Sequence, residues 1–233
     1  MLVCGRNVAK EILLKDKKIK KCYLQEGFKE ETILSLLEKK KIKINYFDKN
    51  NKDDFFKMPH QGIILDIEDF KYSPIEDLNV ENAKIIVLDH LEDPHNLGAI
   101  VRTVEAANLT GIIIPKDRAT DVNYTVVKTS AGAIENVKIS QVTNINSTIL
   151  KLKELGFWIV GTTLEAQEDF KNIDYSGKIA VVIGNEGKGI SESTIKHLDF
   201  NVKIPMYGTT NSLNASVAAA LMIYEIVRKG KDE

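Results

Sequence analysis

Three polar segments of this 233-residue chain contain side chains that could take part in catalysis. Asn96 and Arg102 belong to HNLGAIVRTVEAAN, Glu186 belongs to GNEGKGI, and Ser212 and Asn214 belong to IPMYGTTNSLNASVAAA. A guanidinium can clamp a phosphate or favour a developing oxyanion, and amides and hydroxyls can orient the reacting groups by hydrogen bonds. The three segments are therefore the places to look for chemistry.

Each segment also has a purely structural interpretation. Asn96 could cap a helix, with Arg102 a solvated charge paired to Glu105 on the same helix. Ser212 and Asn214 could likewise cap the last helix. Each structural interpretation is sufficient for its own segment. The occurrence of three such polar segments at the ends of successive strands favours a functional role.

The glycines of the middle segment do not form a known nucleotide loop. A P-loop requires GxxxxGK followed by Ser or Thr, whereas Gly189 is followed by Ile190 and Ser191. The GxGxxG pattern is absent as well. We expect a tight turn where the main chain can approach a flat ligand. A plain left-handed turn would not account for Glu186 at its centre.

The elements that must position these segments alternate between strands and helices. Continuous apolar runs predict strands at KIIVLDHL, GIIIP, VKISQV, FWIVGTT, IAVVIGNE and NVKIPM. Helical periodicity marks NLGAIVRTVEAANL, STILKLKELG and a last helix from about Leu213 to Arg228. This pattern predicts an α/β fold with a parallel sheet covered on both faces. In such sheets ligands bind at the carboxyl ends of the strands, where the polar segments begin.

The first part of the chain has its own pattern. NVAKEILLK and ETILSLLEKKK predict helices, and KCYLQ, KINYFD and GIILDIED predict strands. The pattern stops at a segment rich in Ser, Pro, Asn and charges. We therefore predict an N-terminal domain over 1–72, a linker over 73–82 and a second domain over 83–233.

Charge and cysteine content limit the classes of function. Residues 1–72 carry 16 Lys and Arg against 12 Asp and Glu, and the remainder carries 16 against 21, so the first domain is the one expected to meet a polyanion. Neither the two cysteines, Cys4 and Cys22, nor the four histidines have metal-ligand spacing, and we expect no metal. We expect no signal peptide, because charge arrives at Arg6 and Lys10. The longest apolar run, VAAALMIY, is far shorter than the roughly 20 residues of a membrane span. A cytoplasmic protein that does not enter a membrane is expected.

The three segments resemble the signature motifs of the SpoU (TrmH-like, SPOUT) 2′-O-ribose RNA methyltransferases, and they occur in that family's order. KTSAGAIE (128–135) resembles a further family segment between the first two motifs. VCGRNVAKEIL and HQGIILDI resemble the substrate-binding domain of the subgroup that methylates a guanosine of 23S ribosomal RNA. The resemblance covers nearly the whole chain.

The resemblance has implications for fold, cofactor and assembly. It implies that the second domain contains a deep trefoil knot and that the first is a small α/β RNA-binding domain. It implies S-adenosyl-L-methionine as the methyl donor and a homodimer formed through the knotted domain. By motif position it assigns catalytic roles to Asn96, Arg102, Glu186, Ser212 and Asn214. It assigns cofactor contacts to Gly184, Ile204 and Leu213, with Thr162 and Met206 nearby.

The chemistry of methyl transfer defines what Arg102 can do. The sulfonium is already a good leaving group, so the enzyme must position and activate a weak ribose nucleophile. A guanidinium keeps its proton in proteins and is a poor general base. We therefore expect Arg102 to clamp a neighbouring phosphate and to favour the developing alkoxide. Glu186 is expected to pair with Arg102 or with an RNA amino group.

Four residues outside the catalytic set are expected to contact RNA: Arg6, Asn7, His95 and Lys128. For His95 a structural role is an equal alternative. The lysines near the N-terminus are either further backbone contacts or an ordinary solvated face; they are Lys10, Lys15, Lys17, Lys18, Lys20 and Lys21. Cys4, Cys22 and Trp158 are expected to serve packing.

Three hypotheses about function are carried forward. The first is a methyltransferase acting on a guanosine of 23S ribosomal RNA. The second is a transfer-RNA or antibiotic-resistance methyltransferase of the same class. The third is a catalytically silent RNA-binding protein, which would be expected to have lost the arginine or the Ser/Asn pair. Both are present, so the third is the least favoured.

Overall fold

The computed structural model describes residues 1–15, 17–48 and 59–229, and the chain divides into two units, Met1–Lys71 and Tyr72–Glu233. Residues 230–233 of the predicted second domain lie outside the described residues. Within the described ranges, no helix has the length and apolar character needed to cross a membrane.

Unit 1 is a four-stranded sheet with two helices. Its elements are β1 (Leu2–Cys4), α1 (Arg6–Leu14), β2 (Ile19–Gln25), α2 (Glu31–Lys39), β3 (Ile44–Phe47) and β4 (Ile63–Ile67). The strand order is β1-β4-β2-β3; β4 is antiparallel to both of its neighbours and β3 is parallel to β2. The predicted small α/β architecture is confirmed, and β1 is a strand that the sequence pattern did not indicate.

Unit 2 contains seven strands and five helices within its described part. The strands are β5 (Lys84–Leu88), β6 (Gly111–Pro115), β7 (Lys138–Val142), β8 (Trp158–Thr162), β9 (Glu168–Asp169), β10 (Ile179–Ile183) and β11 (Phe200–Lys203). The helices are α3 (Pro94–Ala106), α4 (Tyr124–Thr129), α5 (Ile145–Glu154), α6 (Glu192–Ile195) and α7 (Ala215–Lys229).

All described strand pairs of the unit 2 sheet are parallel, in the order β7-β6-β5-β10-β8-β11-β9. This confirms the predicted α/β fold with a parallel sheet. β10 lies between β5 and β8, both of which precede it in the sequence. The carboxyl ends of β5, β10, β8 and β11 therefore lie side by side on one edge. Whether the chain is knotted stays a prediction from the resemblance.

The strands of unit 2 are continuously apolar because both faces of the sheet are covered. β10 and β6 are buried along their whole length. On one face, residues of β5 and β10 pack with Ile145, Ile149 and Phe157 in a buried hydrophobic cluster. This packing fixes the strand ends from which the polar segments extend.

The segment predicted as a linker is part of unit 2, together with Tyr72 before it. The Ser73 N–H donates to the Ile139 carbonyl at 2.8 Å, and the Tyr72 hydroxyl accepts from the Val122 N–H at 3.1 Å. A short 3-10 turn follows at Ile75–Leu78, and Leu78 is fully buried. The predicted domain boundaries themselves stay a prediction.

Candidate functional site

The loops that follow β5 and β10 meet because the two strands are neighbours. The Asp89 N–H donates to the Ile183 carbonyl at 2.8 Å, which continues the ladder past the end of β5. The Asp89 side chain is 2% exposed, and its Oδ2 accepts from the Ser191 N–H at 2.8 Å. Asp89 thus connects the end of β5 to the segment after the glycine turn.

His90 extends this connection. Its Nδ1 lies 2.6 Å from Asp89 Oδ1, and its carbonyl accepts from Asn185 Nδ2 at 2.8 Å. His90 also adopts a positive φ of 60°, which is uncommon for a residue with a side chain. The hydrogen bonds on both sides hold the chain in this turn.

The glycine segment closes into a tight loop built around Asn185. Asn185 and Gly189 exchange two backbone hydrogen bonds of 3.0 Å each. Asn185 Oδ1 accepts from the Gly187 N–H at 2.9 Å, and Gly189 has a φ of 67°. The turn predicted from the glycines is therefore present, with Glu186 exposed within it.

Gly184 has a packing role in this loop. A Cβ at this position would overlap the backbone of Gly189 and Ile190, so the chain can fold back only on a glycine. The sequence argument explained Gly184 by the approach of a ligand. The structure adds an explanation within the loop, and the proposed cofactor contact stays a prediction.

Asn96 and Glu186, two of the predicted catalytic residues, are joined directly. Asn96 Nδ2 donates to Glu186 Oε1 at 2.8 Å, and Asn96 is 6% exposed. The structural alternative in which Asn96 caps α3 is wrong, because Asp93 Oδ1 accepts the His95 N–H at 2.8 Å and Pro94 occupies the first turn. The amide of Asn96 is therefore available to hold the carboxylate of the next loop.

Arg102 points away from the packed face of α3. It is exposed, and within the described residues it forms no hydrogen bond and no ion pair. The intrahelical pair with Glu105 is not formed, since Glu105 Oε1 accepts from Asn136 Nδ2 at 3.2 Å. The expected pairing of Glu186 with Arg102 is not seen either, because Glu186 accepts from Asn96. Arg102 is thus a guanidinium exposed to solvent on the helix that follows the first loop.

Residues 204–214 of the third segment have no regular secondary structure, and its last residues begin α7. Asn214 Oδ1 accepts from the Ser216 N–H at 2.9 Å and from its hydroxyl at 2.6 Å, so Asn214 caps α7. Ser212 is exposed, while three apolar side chains are half-buried: Ile204, Met206 and Leu213. α7 itself packs against α3, the helix that carries Asn96 and Arg102.

The residues predicted to bind cofactor follow adjacent strands. Thr162 is the last residue of β8, Gly184 follows β10 directly, and Ile204 follows β11 directly. β8 lies between β10 and β11, so these three positions lie on one edge of the sheet.

His95 and Lys128 lie on neighbouring helices. His95 Nδ1 is 3.4 Å from Thr129 Oγ1, near the long limit of a hydrogen bond, and Lys128 directly precedes Thr129. The helices approach closely here because Gly98 faces Thr129. Both side chains are exposed.

In unit 1, Arg6 and Asn7 line a cleft of about 810 Å³. Several N-terminal lysines form ion pairs, as for Lys18 with Glu68 at 3.2 Å and Lys20 with Asp69 at 3.2 Å. These pairs are typical of the solvated face that the sequence left as an alternative to RNA contact.

Sequence reasoning missed Asp89, His90 and Asn185, which build the loops, and Phe28, His60 and Gln61, which line the cleft in unit 1. An acidic residue directly after an apolar strand was the available signal for Asp89. Within the described residues, no group of three or more His, Cys, Asp or Glu side chains could hold a metal ion.

Two family models match the chain. Residues 83–224 match the SpoU rRNA Methylase family, and residues 2–73 match a model described as RNA 2′-O ribose methyltransferase substrate binding. Together they span both units.

Relatives and solved structures agree with these models. A protein assigned to the TrmH family of tRNA/rRNA methyltransferases in Bacillus subtilis is 40% identical over 236 residues, covering 97% of this chain and 95% of that protein. The SpoU methyltransferase AviRb from Streptomyces viridochromogenes aligns with a TM-score of 0.78 at 22% identity, covering 100% of this chain and 91% of that one. An AdoMet-bound rRNA methyltransferase from Sinorhizobium meliloti aligns with a TM-score of 0.74 at 25% identity, covering 97% and 86%.

Proposed function

Because the chain belongs to the SpoU rRNA methylase family, we propose that it transfers a methyl group from S-adenosyl-L-methionine to the ribose 2′-hydroxyl of a guanosine in 23S ribosomal RNA. The observation that carries this proposal is the hydrogen bond between Asn96 and Glu186, which joins the first two motif segments at the carboxyl edge of the sheet. The resemblance of VCGRNVAKEIL and HQGIILDI to the ribosomal-RNA subgroup supports the choice of substrate.

The residues at this edge fit the cofactor. Half-buried Ile204, Met206 and Leu213 offer apolar surface to an adenine ring, and the glycine loop offers backbone groups to its polar edge. When bound, S-adenosyl-L-methionine supplies a methyl group on a positively charged sulfur, which is an excellent leaving group. What the protein must add is a positioned ribose hydroxyl.

Arg102 is the residue proposed to act on the RNA. Its guanidinium remains charged and is not engaged by other described side chains, so its fork is available for a phosphate next to the target ribose. A positive charge held there also favours the alkoxide that develops on the 2′-oxygen.

The remaining catalytic residues orient the groups. Asn96 holds the Glu186 carboxylate by a 2.8 Å hydrogen bond, which fixes the direction of the carboxylate within the glycine loop. Glu186 is proposed to accept from an RNA amino group. Ser212 and Asn214, at the start of α7, are proposed to contact the ribose, with Asn214 also capping the helix.

The class of RNA distinguishes a 23S guanosine methyltransferase from the transfer-RNA alternative, and the Bacillus subtilis relative is described by both classes, as a tRNA/rRNA methyltransferase. The test is a map of 2′-O-methyl positions on ribosomal and transfer RNA from cells with and without the gene. Loss of one guanosine mark in 23S RNA is expected. If a transfer-RNA mark is missing and the ribosomal map is unchanged, the proposed 23S substrate is wrong. If both maps are unchanged, the proposed methyltransferase activity is wrong.

A silent RNA-binding protein is distinguished by cofactor titration. Calorimetry with S-adenosyl-L-methionine should show saturable binding to the purified protein if it is an enzyme. The presence of Asn96, Arg102, Ser212 and Asn214 supports this outcome.

We further propose a homodimer formed through α7, acting in the cytoplasm on its RNA. Val217, Leu221 and Tyr224 are 46%, 41% and 53% exposed, and their i, i+4, i+7 spacing places them on one face of the helix. A second copy of the chain would cover this apolar stripe.

A further inference from the structure

The cleft in unit 1 is formed by three segments of the chain. They are the start of α1, the loop from β2 to α2, and residues 60–62 before β4. The Gln25 N–H donates to the Gly62 carbonyl at 2.9 Å, which fixes one wall to another. A Cβ at Gly62 would lie 2.9 Å from the Phe28 ring, so this ring packs directly on the backbone. Two described walls of the cleft are therefore joined by a backbone hydrogen bond, and Phe28 packs on Gly62 between them.

Arg6 lies over the Phe28 ring in this cleft. The Arg6 guanidinium carbon lies 5.4 Å from the centre of the Phe28 ring, within the range of a cation–π contact. Arg6 Nε donates to the Gln61 carbonyl at 3.2 Å and lies 3.6 Å from Glu30 Oε2. Within the described residues, the two terminal nitrogens of Arg6 have no hydrogen-bond partner. The guanidinium is thus held in place, with its outer edge available.

Two further residues that line the cleft, Gln61 and His60, carry side-chain donors. Gln61 Oε1 accepts from the Arg6 N–H at 3.0 Å, which leaves the Gln61 amino group to donate elsewhere. His60 Nδ1 accepts from the Gly62 N–H at 2.8 Å, which assigns the proton of a neutral imidazole to Nε2.

The charges of the cleft argue against a phosphate. Arg6 and Lys29 are opposed by Glu26 and Glu30, so the lining has no excess of positive charge. A phosphate would face two carboxylates, whereas a neutral planar group with both donors and acceptors on its edge matches the lining. Unpaired RNA bases have this character, and they are recognised by stacking on aromatic or guanidinium planes together with hydrogen bonds to their edges.

We propose that this cleft holds one unpaired nucleobase of the RNA, stacked on the Phe28–Arg6 cation–π pair and hydrogen-bonded along its edge by Gln61 and His60. The proposal rests on the RNA methyltransferase function and deepens it, because it gives unit 1 a base-reading role in addition to contacts with the RNA backbone. It predicts that unit 1 recognises a loop or bulge and not a continuous duplex.

The first test uses neutral nucleosides, which carry a base but no phosphate. Guanosine, adenosine, cytidine and uridine are added separately to the ¹⁵N-labelled full chain, with ribose 5-phosphate as the comparison. We expect at least one nucleoside to shift the amide resonances of Phe28 and Gly62 and the side-chain amide of Gln61. Shifts caused by ribose 5-phosphate alone would overturn the proposal. The absence of shifts with all four nucleosides would overturn it as well. Because no methyl transfer is measured, this outcome is independent of the proposed function.

The second test measures the contribution of the aromatic surface to catalysis. Phe28→Leu is expected to raise the KM for RNA by roughly tenfold, since stacking of one base on an aromatic ring contributes on this scale, while kcat is retained. The matched control is Tyr46→Leu, because Tyr46 is 65% exposed on β3 and does not line the cleft. An unchanged KM in a folded Phe28→Leu protein would contradict the proposal. If Phe28→Leu does not fold, Gln61→Ala is measured instead, with the same expected rise in KM.

Discussion

Arg102 is the residue on which the proposed transfer depends most directly. Arg102→Ala is expected to lower the rate of methyl transfer by about a hundredfold or more, because the charge that favours the alkoxide is lost. Since the side chain is exposed and has no described partner, folding and cofactor affinity should be retained. The measurements are single-turnover methyl transfer, calorimetry with the cofactor, and the melting temperature.

Arg102→Lys provides the matched control. It keeps the charge and loses the planar fork, so a rate between those of the wild type and the alanine variant is expected. Near-normal turnover of the alanine variant would show that the role assigned to Arg102 is wrong.

Adding a single Cβ atom at Gly184 tests how tightly the glycine loop is packed. Gly184→Ala should lower the melting temperature by several degrees, because relieving the overlap with Gly189 and Ile190 costs about 1 to 3 kcal/mol in the manner of an overpacked core. Gly187→Ala is the control, since its Cβ would lie 3.7 Å from Asn185 Oδ1, an ordinary contact. Equal melting temperatures for the two variants would contradict this account of the loop.

For individual residues, the sequence pattern predicted where the polar loops lie but not the hydrogen bonds within them. Asn96, Glu186 and Asn214 could be singled out because polar side chains at strand ends are informative. The hydrogen bonds between Asp89, His90 and Asn185 could not be inferred, because they depend on β10 lying beside β5, which hydrophobic periodicity does not specify.

Between elements, Asp89 joins the end of β5 to the segment after β10. Asp89→Ala leaves the Ser191 N–H without its acceptor, and the expected loss in unfolding free energy is about 1 to 3 kcal/mol. Asp89→Asn retains a side-chain oxygen for this bond and should lose less. Urea denaturation of both variants measures the difference, and an unaltered midpoint for Asp89→Ala would contradict the role.

α7 carries a pH-dependent contribution to stability. Glu225 accepts from Arg228 at 2.6 and 3.0 Å, and this pairing lowers the pKa of its carboxyl below the ordinary value of 4.5. A group with a lowered folded-state pKa stabilises the fold above its unfolded pKa, and the contribution is lost as the pH falls through the folded value.

The expected result is a smaller fall in unfolding free energy below about pH 4.5 for Glu225→Gln than for the wild type. Glu154→Gln, on the exposed surface of α5, serves as the control and should follow the wild type. If the unfolding free energies of Glu225→Gln and the wild type fall equally as the pH is lowered, the role assigned to Glu225 is wrong.

Most elements could be predicted from periodicity, and the exceptions have physical causes. α4 has six residues and β9 has two, which is too short for a helical or alternating pattern to stand out. β1, with three residues, is recognisable only from its pairing with β4.

For the whole molecule, the apolar stripe of α7 makes the assembly testable. Leu221→Glu should convert a dimer to a monomer, because it places a charge in the middle of a surface that a second copy would bury. Leu150→Glu is the matched control, since Leu150 is a leucine of α5 with 47% exposure and lies outside the stripe. Analytical ultracentrifugation measures the change, and a monomeric wild type would contradict the proposed assembly.

The order of the strands was beyond the reach of the sequence pattern. Apolar runs separated by helices predicted a parallel sheet, and they are compatible with several strand orders. Only the family resemblance implied a knot, because threading has no signature in composition or periodicity.

β5 and β8 both leave the ribosome before β10, the strand that must hydrogen-bond to each of them. Until residues 179–183 emerge, unit 2 of the nascent chain holds one partial sheet, β7-β6-β5, while β8 has neither of its neighbours, so the outer edge of β5 and both edges of β8 lack partners. Such edges are prone to pair with other chains. Translation that stops shortly before β10 should therefore release an aggregation-prone fragment, whereas a stop after unit 1 should not expose these edges.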